Sequence, residues 1–87
     1  MNGESPLQFP CAFPIKVMGV GDPGFQMLVV ELVRQHAPDL DEAQVRVRDS
    51  RAGRYQSVTV TVNARDRAQL DAIYQDLSGH PHIKLVL

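Results

Sequence analysis

At 87 residues the chain has room for one modest core and not for two ordinary domains; a chain of this size buries only roughly 60 to 65% of its unfolded surface. A formal net charge of −1 lacks the strong positive excess of a dedicated nucleic-acid binder, and no apolar run approaches the ~18 residues of a membrane-spanning helix. The single cysteine, Cys11, excludes an internal disulfide and any Cys-x-x-Cys metal or redox pair.

Residues 1–8 carry few apolar groups around Gly3, Ser5 and Pro6 and read as a loose tail; residues 9–87 form the folded domain. Met1 to Leu7 has neither the basic nor the apolar stretch of a secretion signal, so a cytoplasmic address is expected. From Phe13 the chain alternates, with Phe13, Ile15 and Val17 on one side and Pro14, Lys16 and Met18 on the other, which predicts a half-buried strand. Gly19 and Gly21 then allow a sharp turn. Asp22-Pro23 reads as an N-cap with proline at the first helical position, where its missing N–H costs nothing. Phe25, Leu28, Val29, Leu32 and Val33 recur at helical spacing and predict a first helix, closed by His36 and Ala37 ahead of Pro38.

After an acidic connection, Asp39-Leu40-Asp41-Glu42, Val45 and Val47 alternate with Arg46 and Arg48 in a second strand. Ser50-Arg51-Ala52-Gly53 supplies a turn, with Gly53 free to take positive φ, and a third strand runs from Tyr55 to about Asn63. Its Val58, Val60 and Val62 face one way and Ser57, Thr59 and Thr61 the other. Asp66 caps a second helix, with Gln69 in a capping-box relation and Leu70, Ile73, Tyr74 and Leu77 as its apolar stripe; Gly79 and Pro81 stop it. A last strand follows in which Ile83, Leu85 and Leu87 are expected inward and His82, Lys84 and Val86 outward.

The order is βαββαβ. Right-handed crossovers place both helices on one face of an antiparallel four-stranded sheet of order 4-1-3-2, so the fold class is α+β, a ferredoxin-like two-layer sandwich. The other face, which collects Lys16, Met18, Arg46, Arg48, Ser57, Thr59, Thr61, His82, Lys84 and Val86, is expected to be wet or to hold a partner.

Phe9-Pro10-Cys11-Ala12-Phe13, Lys16-Val17-Met18-Gly19, Gln35-His36-Ala37-Pro38, Gly53-Arg54-Tyr55-Gln56-Ser57-Val58, Asn63-Ala64 and the closing Val86-Leu87 together resemble successive signatures of the YbeD-like small bacterial proteins. That resemblance covers Phe9 to Leu87. It implies a ferredoxin-like fold similar to ACT regulatory domains, which bind small effectors such as amino acids, no settled biochemical activity, and an association with lipoate metabolism. Val17 to Gly24 also looks like the strand, acidic-Pro-Gly turn and helix start of ACT domains, in which the ligand site lies beside this turn at a dimer interface; a homodimer is implied.

Two constellations stand out as candidate sites. Gly19, Gly21, Asp22 and Gly24 form a turn at a helix N-terminus that either presents backbone N–H groups to a small anion or is a tight turn whose donors Asp22 itself occupies. Arg46, Arg48, Arg51 and Arg54 either bind carboxylates or phosphates of a partner, such as a metabolic enzyme, or keep an edge strand solvated. RNA recognition on the open sheet face would need stacking rings where Lys16, Thr59 and Thr61 stand. His80 and His82 flank Pro81 without a third metal ligand nearby in sequence, and Cys11 has no neighbour that would activate it. No catalytic triad, phosphate-binding loop or dinucleotide fingerprint is present. These patterns predict a non-enzymatic regulatory or adaptor domain, with no cofactor, that senses a small anionic metabolite or docks on an enzyme; a pure protein-interaction module is the alternative.

Overall fold

A computed structural model describes residues 8–87; the tail expected at residues 1–8 lies, apart from Gln8, outside the described residues. Strand β1 (Cys11–Val20) is followed by helix α1 (Phe25–Arg34) and a single 3₁₀ turn (Glu42–Gln44). Strands β2 (Arg46–Asp49) and β3 (Tyr55–Ala64), helix α2 (Arg67–Ser78) and strand β4 (Ile83–Val86) complete the chain. The four strands form one sheet of order β2-β3-β1-β4, antiparallel throughout, which is the ferredoxin-like arrangement that the element order predicts. No helix among the described residues is long and apolar enough to cross a membrane.

The core follows from the two periodicities. Ile15 and Val17 from β1 and Val58, Val60 and Val62 from β3 are fully buried on one side of the sheet, where β-branched side chains pack well on the pleat. Phe25, Val29, Val30 and Val33 of α1 and Leu70, Ile73 and Leu77 of α2 close over them in one contiguous cluster. Val30 and Leu40 join that cluster although neither belongs to the predicted stripes, Leu40 being an apolar plug within the acidic connection.

The helix termini depart from the simple reading in instructive ways. Helix α1 starts two residues later than Pro23, with Gly24 at its N-cap, because Asp22 caps the preceding turn instead: its Oδ1 accepts from Gly24 N at 2.8 Å and its carbonyl from Phe25 N at 2.9 Å. At α2, Asp66 Oδ1 accepts from Gln69 N at 2.8 Å, while the Gln69 side chain reaches back to accept from Arg65 N at 2.7 Å. The same Gln69, 7% exposed, donates to the His36 carbonyl at 2.8 Å and so ties the α2 start to the segment after α1. His36, just beyond α1, pairs through Nε2 with Asp76 of α2 at 2.5 Å.

Strand β4 corrects one expectation. Its register on β1 runs Val17 to Val86 and Met18 to Leu85, then shifts so that Gly19 opposes Ile83, leaving Lys84 as an extra residue. Beyond the strand, Leu87 exchanges both backbone hydrogen bonds with Lys16, at 2.8 and 3.1 Å. Paired residues share a face, so this bulge breaks the alternation: Val86 turns inward with Val17, while Leu85 and Leu87 turn outward beside Met18 and Lys16. His82, expected on the open face, lines a groove beside the start of α1 instead.

Candidate functional site

The predicted glycine turn is not one structural unit. Gly19 lies inside β1, buried, where an added Cβ would meet the Phe25 ring and come within 2.5 Å of the His82 carbonyl oxygen; its role is close packing. Gly21 sits under the β2–β3 loop, donating to the Arg54 carbonyl at 2.8 Å, with the Gly53 carbonyl 2.6 Å from where a Cβ would stand. Asp22 takes the Gly24 N–H, so the N–H groups of Gly21, Gly24 and Phe25 all have protein acceptors. Beside this turn is a groove of about 300 Å³ lined by Asp22, Gly24, Phe25, Leu28, His80 and His82. The two histidine rings stack edge to face at 5.3 Å, and His80 Nδ1 accepts from the His82 N–H at 3.2 Å. Cys11, at the start of β1, is half-buried against the core.

The four candidate arginines divide into two pairs. Arg51 and Arg54 lie in the 50–54 loop, whose geometry is set by positive φ at Gly53 and by Ser50, whose hydroxyl accepts from Tyr55 N at 3.0 Å. Arg46 and Arg48 stand on β2 opposite Thr59 and Ser57 of β3. Those same two residues are paired on their other side with Lys16 and Met18 of β1. Two rows therefore cross the open face of the sheet: Leu87, Lys16, Thr59, Arg46 and, next to it, Leu85, Met18, Ser57, Arg48.

Lys16, Arg46 and Arg48 surround a depression of about 340 Å³ floored by Ser57 and Thr59. None of the three forms an ion pair among the described residues, whose salt bridges, Arg34 with Glu42 and His36 with Asp76, lie elsewhere. Ser57 is 9% exposed and its hydroxyl has no protein partner among the described residues, although a second depression of about 160 Å³, shared with Met18 and Tyr55, also opens onto it. A buried hydroxyl without a partner beneath unpaired cations is suited to an acceptor brought by something else, such as a carboxylate or phosphate oxygen. Sequence reasoning put Lys16, Ser57 and Thr59 on the same open face as Arg46 and Arg48, but singled out only the arginines as a candidate site. Alternation gives the shared face; that they stand side by side is set by the register across three strands, which no local pattern contains.

The Tyr74 hydroxyl donates to the Leu87 main-chain oxygen at 3.3 Å, and partial burial raises its pKa above the ordinary tyrosine value.

Comparison with known proteins places this geometry in a family. The family model described as "Protein of unknown function (DUF493)" matches residues 4–87. A UPF0250 protein of Nitrosomonas europaea is 45% identical over 87 residues, covering 100% of both chains. Another, of Paraburkholderia phymatum, is 51% identical over 84 residues, covering 97% of this chain and 94% of the relative. Among solved structures, protein HP0495 from H. pylori superimposes with a TM-score of 0.72 at 14% identity, over 97% of this chain and 88% of that one, a likeness of fold alone. With its whole folded length matched at such identities, the chain belongs to the DUF493 (UPF0250) family, the YbeD-like small bacterial proteins of unknown function.

Proposed function

We propose that this protein is a non-enzymatic adaptor or regulatory domain that holds an anionic partner on the open face of its sheet. The observation that supports the reading is the set of Lys16, Arg46 and Arg48, without ion-pair partners among the described residues, around Ser57 and Thr59. Arginine suits this task because its fixed fork of donors matches carboxylate and phosphate geometry. Stacking recognition of RNA is disfavoured, since the central positions of this face hold Lys16, Thr59 and Thr61 rather than rings.

A second reading, a small anionic metabolite at the glycine turn, draws on the groove that Asp22, Gly24, His80 and His82 line. One experiment separates the two: thermal unfolding against amino acids, lipoate-related acids, nucleotides, inorganic phosphate and polyglutamate, followed by amide chemical-shift mapping of any ligand that stabilises. A ligand at 100 times its dissociation constant stabilises by about 2.7 kcal/mol. Shifts at Arg46, Thr59 and Lys16, lost in Lys16→Glu/Arg46→Glu, are the expected result. Shifts confined to Gly24 and His82 move the site to the turn, and a flat screen including polyglutamate defeats the anion-binding reading altogether.

A further inference from the structure

The open face is divided by polarity. Towards β2 lie Arg46, Arg48 and the hydroxyls of β3; towards β4 lie Met18, Leu85 and Leu87, with the Lys16 charge at the boundary between Thr59 and Leu87. Leu85 and Leu87 are 47% and 60% exposed, and Val20 and Tyr55, paired at the end of the same face, are 48% and 52% exposed. Each row spans three interstrand steps, about 14 Å, so cationic and apolar ends are separated by roughly the width of one helix or the reach of a few extended residues. A small anion would engage the basic half and leave the leucines uncovered. Neighbouring apolar side chains grouped at one edge of a face are the mark of a protein contact.

We propose that the occupant of this face is an acidic amphipathic segment of another protein, its carboxylates over Lys16, Arg46 and Arg48 and its apolar side chains over Met18, Leu85 and Leu87. The inference rests on the reading of this face as an anion-binding surface and adds the chemistry of the partner. Charge complementarity excludes a basic segment. A second copy of the chain matches the face less well: its acidic run at 39–42 has its one apolar member, Leu40, buried at 5% exposure, so it offers carboxylates without a leucine edge.

The test is selection of a randomised peptide library on the immobilised full chain, with the winning peptides then titrated against the native chain and two variants. Leu85→Ser/Leu87→Ser and Lys16→Glu/Arg46→Glu alter exposed side chains, and an amide correlation spectrum establishes that each is folded. The expected outcome is enrichment of peptides carrying Asp or Glu on one side and Leu, Ile or Phe on the other, with each variant weakening binding by about tenfold or more. Enrichment of acidic residues without apolar ones, indifferent to Leu85→Ser/Leu87→Ser, overturns the inference and leaves the anion-binding reading standing. Absence of acidic enrichment, with no effect of Lys16→Glu/Arg46→Glu, overturns both. A dimer in sedimentation that Leu85→Ser/Leu87→Ser dissolves makes a second copy the occupant and overturns the inference.

Discussion

Glycines that look equivalent in sequence do different work once their surroundings are known. Gly19 is enclosed by the Phe25 ring and the His82 backbone, and a backbone carbonyl cannot swing aside as the end of a side chain can. Gly19→Ala is therefore expected to cost about 2 kcal/mol through overpacking. Gly24, with φ at −89° and only Asp22 Oδ1 near, at 3.5 Å, should accept alanine within about 0.5 kcal/mol. Urea unfolding of the two variants checks the contrast. Tyr74 makes a separate statement about pH. Because partial burial raises its pKa, the folded state holds the phenolic proton more tightly than the unfolded state does. Its contribution is complete below the unfolded value of about 10 and is lost as the pH climbs through the higher folded value. Tyr74→Phe should flatten this alkaline decline in the urea midpoint, and an unchanged slope would assign the decline to other groups.

At the scale of elements, legibility tracked length and regularity. β1 and β3, ten residues each, and the apolar stripes of α1 and α2 announce themselves because many repeats of one period point to one face. β4 spans only Ile83–Val86 and contains a bulge, so a rule that assumes constant alternation assigns Leu85 and Leu87 to the core and Val86 to solvent, the reverse of their placement. Stability can distinguish the two arrangements: Val86→Ser should cost about 1 kcal/mol by removing a partly buried group, while Leu85→Ser should stay within about 0.5 kcal/mol. Chemical denaturation that ranked the two the other way would contradict the register. The candidate site was legible only in part for a related reason. Alternation with Val45 and Val47 puts Arg46 and Arg48 on one side of β2, but their meeting with Lys16 depends on pairing between residues about forty positions apart in the chain. Proximity in sequence likewise joined Arg51 and Arg54 to that pair, whereas the turn carries them away from it.

For the whole molecule, a net charge of −1 conceals a segregated surface. Acidic side chains gather in the connection at 39–42, and Arg46 and Arg48 with Lys16 occupy the open face. An acidic partner should consequently associate more slowly as salt is added, since the screening length falls from about 30 Å at 0.01 M to about 10 Å at 0.1 M. Dissociation, governed by the contacts once formed, should change less. Stopped-flow association of a selected acidic peptide across that range is the measurement, and a rate independent of salt would mean that the basic half of the face does not steer it. The fold itself is indifferent to these details, as the shared architecture at 14% identity with the H. pylori protein illustrates. Here the shifted pairing at Lys84 acquires a significance beyond packing. An edge strand is bonded on one side only, so a length change there need not propagate into β1 or β3. Removing the single codon for Lys84 would restore plain alternation while leaving Ile83 opposite Gly19, Leu85 opposite Met18 and Val86 opposite Val17, so that only the extra side chain is lost from an unchanged scaffold. Evolution thus has, in this short edge strand, a place where a side chain can be gained or lost by insertion and deletion without disturbing the leucines of the open face.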